Sequence, residues 1–499
     1  MLIMLKSTIF ATTKKCNSEM EKLIGRSREC AELQWALESK RSELIIIYGR
    51  RRIGKTFLVR SFFKDRFCFH FVGAHNKPKA SQLLYFKETL EQYSRKDCKI
   101  PTNWHEAFIS LEHYLEDCTD ERKVIFFDEM PWMDSRGSEF VSELEYFWSN
   151  WVQNRDDIVF IACGSATSWM KEKLEENQGG LHNRITHRIY LRPFYLNECR
   201  SYLKEHGFEW DDYQILQCYM VFGGVPFYLS LLKPQLSFPE NVDNLIFRRG
   251  GNLDNEFNEL YNALFTKANR YISIVSLLAS KREGFTRSEI QKKTGFSGGG
   301  LTKILANLER CDFIESYAQF GNRKKMTLYR LIDFYTLFYF HFVVNNQTRD
   351  NMYWQHHFND HGVEAWEGFT FESVCLRHLP HIKLGLGIAG MATETSAWRF
   401  VPTNNDDRSG AQIDLVIKRA DKKIHLVEIK FAESPYVITK TYEQKLRDRK
   451  SLFMQVNGIM RGPTITFITP MGIARGSHSS IAQEQLTAGD LFADLGRFD

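Results

Sequence analysis

ELIIIYGRRRIGKTFLVRSFF, Glu43–Phe63, decides the fold. Leu44–Tyr48 is an unbroken apolar run with no alternation of polar and apolar side chains. Both faces of such a strand need cover, which places it inside a parallel sheet. GRRRIGKT, Gly49–Thr56, comes next and meets the spacing G-x-x-x-x-G-K-[ST]. Glycine at 49 and 54 lets the backbone turn its N–H groups onto phosphate oxygens, and the helix predicted from Lys55 adds its positive end. Lys55 is then placed to reach the β/γ-phosphates, and Thr56 to give a hydroxyl to Mg²⁺. The expected nucleotide-binding residues are Gly49, Arg50, Arg51, Arg52, Ile53, Gly54, Lys55, Thr56 and Phe57, with ATP and Mg²⁺ as ligands.

Two further apolar runs extend the sheet. KVIFFDE, Lys123–Glu129, ends in a pair of carboxylates at the carboxyl end of its strand. Asp128 there suits Mg²⁺, and Glu129 suits orienting and polarising an attacking water. DDIVFIACGS, Asp156–Ser165, brings Ser165 to the next strand end, where it touches the γ-phosphate or the attacking water; a structural turn serine is the alternative.

Around these segments the composition is that of a folded protein. The 499 residues are 43% hydrophobic and 25% charged, and the length favours two to four domains. A formal charge of +5 permits nucleic-acid binding without arguing for it, because local clustering decides that. Ten cysteines include no CxxC pair, which suits reduced thiols better than a disulfide framework or zinc knuckle. His356 and His357 lack ligand spacing for zinc. The first sixteen residues are too weakly apolar for a signal peptide, and LFYFHFVV, Leu337–Val344, is far below spanning length. The expected location is the cytoplasm, with no membrane contact.

Three regions are expected: 21–235, an α/β domain ending in a helical lid; 240–345, a helical domain; and 351–499, a second α/β unit. Pro234 and Pro239 punctuate the first junction. In the second region helices are predicted at Asp254–Ala279, Thr286–Lys293 and Leu301–Arg310, with Gly298, Gly299 and Gly300 as a turn. Phe313–Tyr317 and Met326–Leu331 flank the basic tip GNRKK, completing a winged helix-turn-helix. Its recognition helix carries only Thr302, Lys303, Asn307 and Arg310 against Glu309, while Arg323, Lys324 and Lys325 make the wing tip richer. The alternative is a packing module that relays nucleotide state.

The third region has a helix predicted at Glu364–Leu379, strands at Gln412–Ile417 and His425–Ile429, a helix at Thr441–Val456 and a strand at ITFITP. Asp414 in AQIDLVI and Glu428 in HLVEIK interrupt apolar strands, where an unpaired charge is costly. Glu428 and Lys430 share a strand face. Glu372 falls on the stripe Phe369, Leu376, Leu379 of its predicted helix. Glu372, Asp414 and Glu428 are therefore candidate metal ligands, and Lys430 a candidate catalytic cation.

GRRRIGKT, FFDEM, ACGSATSWM, LRPF and GGVPFYL together resemble the archaeal/bacterial ATPase family of the AAA-related STAND class, over roughly Leu23–Leu232. This implies an arginine that approaches the γ-phosphate across an interface, and Arg184 is the candidate; Arg192 is assigned to anchoring the lid. An arginine supplied by a neighbour implies a ring or transient homo-oligomer, one supplied within the chain a monomer. E372…D414…E428-I-K430 resembles the PD-(D/E)XK nuclease superfamily, and 351–499 is similar to an uncharacterised domain often attached to these ATPases. That resemblance implies a restriction-endonuclease-like fold, with Gln444 in YEQK supporting the site. The expected fold class is thus α/β: a P-loop NTPase parallel sheet with helical lid, a winged helix-turn-helix, and the C-terminal α/β domain. The expected function is ATP hydrolysis driving a switch or motor, coupled to DNA binding and cleavage. The alternative is a signalling or chaperone-like ATPase whose C-terminal parts are scaffolds for protein partners.

Overall fold

Every side chain of the first strand, β1 (Glu43–Tyr48), is buried, and the two sets into which it alternates enter different cores. Leu44, Ile46 and Tyr48 join one cluster with Phe71, Phe108, Phe127 and Phe160. Ile45 and Ile47 join another with Leu33, Leu58, Val59 and Ile161. At roughly 1.5–3 kcal/mol per large apolar side chain, the two clusters are what hold the sheet between helical layers. The computed structural model describes residues 23–176, 181–321, 327–346, 349–402 and 408–498.

The remaining strands of the ATP-loop region are β2 (Phe69–Val72), β3 (Lys123–Asp128), β4 (Ile158–Gly164) and β5 (His187–Tyr190). With β1 they form one parallel sheet in the order β2-β3-β4-β1-β5. Helices Ser27–Glu38 and Lys55–Phe63 supply one flanking layer, and Lys79–Ser94, Trp104–Asp117 and Phe140–Asn150 the other. Because all five strands run the same way, the loops after β1, β3 and β4 leave from a single edge. The chain divides into two compact units, Met1–Arg192 and Pro193–Asp499, so the helices Leu196–Glu205 and Asp212–Phe222 belong to the second unit.

In the second unit β6 (Phe285–Thr286), β7 (Ile314–Tyr317) and β8 (Leu328–Leu331) make an antiparallel sheet in the order β6-β8-β7. Three helices, Ala268–Ala279, Arg287–Thr294 and Gly298–Arg310, accompany it. The long helix expected over Asp254–Ala279 is in fact two, Glu256–Leu264 and Ala268–Ala279. Lys267 between them takes a left-handed φ of 63° that no helix interior accommodates. Conversely the third helix is Gly298–Arg310 and starts three residues before the expected Leu301: Gly298 keeps a left-handed φ of 59°, and Gly299 and Gly300 lie in the first turn, where the first N–H groups are unpaired in any case. The basic wing residues Arg323, Lys324 and Lys325 lie outside the described residues.

The C-terminal part holds a mixed sheet, β13-β12-β11-β10-β9, of β9 (Thr393–Phe400), β10 (Ala411–Arg419), β11 (Ile424–Ile429), β12 (Thr464–Ile468) and β13 (Glu484–Leu486). β9, β10 and β11 pair antiparallel, and β11, β12 and β13 parallel. Phe371, Val374 and Cys375 of helix His361–Arg377 share a core with Leu415, Ile417, Val427 and Ile429. Phe453 of helix Lys440–Asn457 joins Trp398, Val416 and Leu426 on the opposite face. The helical stripe read from Phe369, Leu376 and Leu379 is not the buried one. Phe369 is 51% exposed, lying under the Arg282 guanidinium, and the buried side is Val363, Trp366, Phe371, Val374 and Cys375.

One buried contact makes this unit sensitive to pH. Gln217 Nε2 donates to Glu367 Oε1 at 2.8 Å, and both residues are buried. Burial, reinforced by Glu364 and Glu433, outweighs that hydrogen bond and pushes the Glu367 carboxyl from an ordinary 4.5 up to about 7. A raised folded-state value means the stabilisation is complete below pH 4.5 and is lost as pH rises towards 7, because only the unfolded chain ionises freely in that window. Glu367→Gln should remove this slope and make the protein about 2 kcal/mol more stable than wild type above pH 7. Urea denaturation at pH 5 and pH 8 checks it; equal pH slopes in both proteins would contradict it.

Candidate nucleotide and carboxylate sites

The loop after β1 is shaped by contacts that its sequence dictates. Gly49 has a φ of 150°, and a Cβ there would stand 2.3 Å from the carbonyl oxygen of Leu191, so no larger residue fits. Gly54 is left-handed and caps the helix Lys55–Phe63. Lys55, 5% exposed, turns its Nζ back into the loop and donates to the carbonyls of Gly49 at 3.0 Å and Arg50 at 2.8 Å. The ammonium thus sits inside the ring of backbone that is to enclose the phosphates. Ile53 and Arg50 are buried, Arg51, Arg52 and Thr56 are half-buried, and Phe57 is 55% exposed on the helix.

Thr56 and Asp128 are in direct contact. Thr56 Oγ1 donates to Asp128 Oδ2 at 2.8 Å across the gap between the helix start and the end of β3. Burial raises the Asp128 pKa; the Thr56 hydrogen bond opposes that, and the neighbouring Glu129 adds to it. A hydroxyl and a buried carboxylate in contact, both hard oxygen donors, fit a Mg²⁺ ion, which would relieve the carboxylate of its unfavourable burial.

Glu129 stands in a tight turn. Its φ is 47°, and the 3₁₀ turn Met130–Trp132 begins directly after it. Ser165 Oγ donates to Glu129 Oε1 at 2.5 Å and the Ser165 N–H to Oε2 at 3.2 Å. Trp132 Nε1 donates to Oε2 at 3.0 Å. A Cβ at Gly164 would come within 2.6 Å of Pro131, so β4 and this turn approach as closely as a glycine allows. Ser165 therefore contacts the catalytic candidate itself. Trp132 was not anticipated; the available signal was an N–H donor three residues beyond the carboxylate, a spacing that a 3₁₀ turn brings onto one side.

Residues 23–232 match a family described as an ATPase domain predominantly from Archaea. This stretch is a P-loop ATPase domain. The match supports ATP binding and hydrolysis by this stretch. An uncharacterized protein of Methanocaldococcus jannaschii is 25% identical over 423 residues, 82% of this chain and 88% of that one. Among solved structures, a Walker-type ATPase of Pyrococcus abyssi is 17% identical with a TM-score of 0.45, covering 64% of this chain and 96% of its own. The Aeropyrum pernix ORC2 protein is 16% identical with a TM-score of 0.43, over 68% and 96%.

Other residues of the ATPase domain have structural partners. Arg184 donates to Ser149 Oγ on helix Phe140–Asn150, and the carbonyl of Arg192 accepts from Arg26 at 3.0 Å. No helix among the described residues is long and apolar enough to cross a membrane, and the described cysteines are free thiols.

The C-terminal carboxylates are neutralised by the protein's own cations. Arg282, from the turn after helix Ala268–Ala279, pairs with Glu372 and, at 3.0 Å, with Asp414. Asp414 lies where the pairing of β10 with β9 is irregular, between Ile413 and Val416. Glu428, 5% exposed, takes Lys430 Nζ at 2.7 Å on Oε1 and Arg449 Nη1 at 2.6 Å on Oε2, and the Tyr442 hydroxyl also donates to it. Burial acts to raise its pKa, but Lys430, Arg449 and Tyr442 prevail and hold it below the ordinary carboxylate value. Glu372 and Asp414 are thus brought together, Glu428 and Lys430 are brought together, and each pair has its own counter-charge. Among the described residues no three Asp, Glu, His or Cys side chains converge in a way that could hold a metal ion. As arranged, these carboxylates do not fit a metal. Gln444 points to Asp448 at 2.8 Å, one turn along its own helix; Tyr442 and Arg449 are the residues of that helix that reach Glu428.

Proposed function

We propose that this protein is a Mg²⁺-dependent, ATP-hydrolysing switch whose second unit acts on DNA. The observation that carries the proposal is the convergence at one sheet edge of Lys55, Thr56, Asp128 and a Glu129 carboxylate oriented by Ser165. In this reading the backbone of Gly49–Thr56 and the Lys55 ammonium bind the phosphates, and Thr56 with Asp128 hold Mg²⁺. The ion supplies charge neutralisation at the phosphates when bound. Glu129 orients the attacking water and receives its proton, and Ser165 fixes the carboxylate in place.

DNA as the partner is supported by the element order helix, strand, helix, helix, strand, strand with β8 central, the arrangement of a winged helix-turn-helix. The mixed sheet flanked by helices that carry Glu372 and Arg449 supports the nuclease-like reading of the last domain. The second reading, a scaffold for protein partners, is favoured by the Arg282 pairing of Glu372 and Asp414.

The test is incubation of the purified full chain with single-stranded, duplex and branched DNA, Mg²⁺ or Mn²⁺, and ATP, beside Arg282→Ala. We expect nucleotide-dependent DNA binding at low salt and no cleavage by the wild-type chain while Arg282 answers Glu372 and Asp414; cleavage gained by Arg282→Ala would support the nuclease-like reading. No DNA affinity and no cleavage in either protein would contradict the DNA reading and favour the scaffold.

A further inference from the structure

Trp132 makes two bonds to one residue. Its backbone N–H donates to the Glu129 carbonyl at 3.0 Å, and its indole Nε1 donates to Glu129 Oε2 at 3.0 Å. The backbone of Trp132 is itself held. Gln82, fully buried, donates from Nε2 to the Trp132 carbonyl at 2.8 Å and to that of Ala74 at 2.7 Å, while its Oε1 accepts from the Ala74 N–H at 3.0 Å. The His75 ring stands edge-on to the indole, with centroids 3.7 Å apart. A carboxylate offers about four lone-pair directions. On Glu129 three of these meet donors, two on Oε2 from Ser165 N–H and Trp132, and one on Oε1 from the Ser165 hydroxyl. The remaining direction belongs to Oε1.

We infer that Trp132 is a positioning residue for ATP hydrolysis: by occupying Oε2, its indole N–H leaves Oε1 as the oxygen that takes the proton of the attacking water. This rests on the reading of Glu129 as the water-orienting carboxylate. In the step concerned, the water oxygen bonds to the γ-phosphorus and the bond from that phosphorus to the bridging oxygen breaks. ADP departs with the electron pair, and the water proton passes to Oε1. Without the indole donor only Ser165 holds the carboxylate, Oε2 keeps just the longer 3.2 Å bond, and the plane of the carboxylate can tilt so that Oε1 faces the water from a less favourable angle. The strained turn at Glu129 places its Cβ but does not fix that torsion; only donors to the two oxygens do so.

The experiment is steady-state ATP hydrolysis with the full chain in four forms: wild type, Trp132→Phe, Glu129→Gln and the double variant. Trp132→Phe keeps an aromatic ring and removes the donor. We expect its kcat to fall about 10-fold with KM for ATP within about 2-fold, since a misplaced catalytic group costs rate rather than ground-state binding. The double variant should be no slower than Glu129→Gln alone, because a residue acting only through Glu129 has nothing further to lose. A merely structural role would instead add its loss to that of Glu129→Gln. Trp132→Met, which occupies the site without a donor, should give the same split if the phenylalanine variant is unstable. Trp132→Phe hydrolysing at the wild-type rate or faster, while Glu129→Gln is inactive, would overturn the inference, as would a double variant slower than Glu129→Gln. Normal turnover by Glu129→Gln would instead overturn the underlying reading of Glu129.

Discussion

Lys55→Ala is expected to lose ATP binding and hydrolysis together. Truncating one partner of a buried, hydrogen-bonded charge pair costs about 2–5 kcal/mol, so affinity should fall by at least about 30-fold. The loss has two sources. The phosphates lose a cation, and the carbonyls of Gly49 and Arg50 lose the donor that draws the loop into a ring. Unpaired buried carbonyls cost on the order of 1–3 kcal/mol each, so the loop itself should relax. Lys55→Met, which keeps the aliphatic stem, should bind as poorly. Equilibrium binding of a fluorescent ATP analogue measures both variants, and wild-type affinity in either would contradict the assignment of the loop.

Arg449→Leu is expected to have the largest effect on stability, lowering that of the second unit by about 3 kcal/mol. Glu428 is held below its ordinary pKa despite burial because Lys430 and Arg449 sit on different oxygens. Removing Arg449 leaves Oε2 buried and without that cation, whereas Oε1 keeps Lys430 and Tyr442. Glu428→Gln in the Arg449→Leu background should recover part of the loss, because the buried charge goes with it. Denaturant unfolding of the three proteins checks this; an Arg449→Leu variant as stable as wild type would show that Glu428 is not sealed in as described.

The apolar strands could be read from the sequence because burial on both faces leaves them almost free of polar residues; β1, β3 and β4 are of this kind. The candidate nucleotide site was legible for a related reason: its residues are confined to a contiguous loop and to the ends of strands. The same holds for Ser165, the first residue after β4. Trp132 was hidden because its role depends on the left-handed turn at Glu129, which nothing in FFDEMPW announces. β9 escaped because Trp398 is its one buried side chain, and the rest, mostly polar, is half-buried or exposed without regular alternation.

The C-terminal carboxylates divide in an instructive way. The pairing of Glu428 with Lys430 was readable from strand periodicity alone. Arg282 was not, since it lies 132 residues before Asp414 and only tertiary structure joins them. Spacing along a strand predicts which charges share a face; it cannot tell whether a metal or a distant guanidinium answers them. The glycines at 298–300 mislead in a similar manner, because their turn-forming tendency is real but weaker than the packing of Leu301, Ile304, Leu305 and Leu308 that continues the helix behind them.

Glu129→Gln, assayed for bound nucleotide and for turnover in the same preparation, tests the central claim most directly. The amide keeps the size of the side chain and cannot accept the proton of water. The account predicts that the variant binds ATP as wild type does and hydrolyses it about 10²- to 10⁴-fold more slowly. Hydrolysis at the wild-type rate, with ATP bound normally, would contradict it.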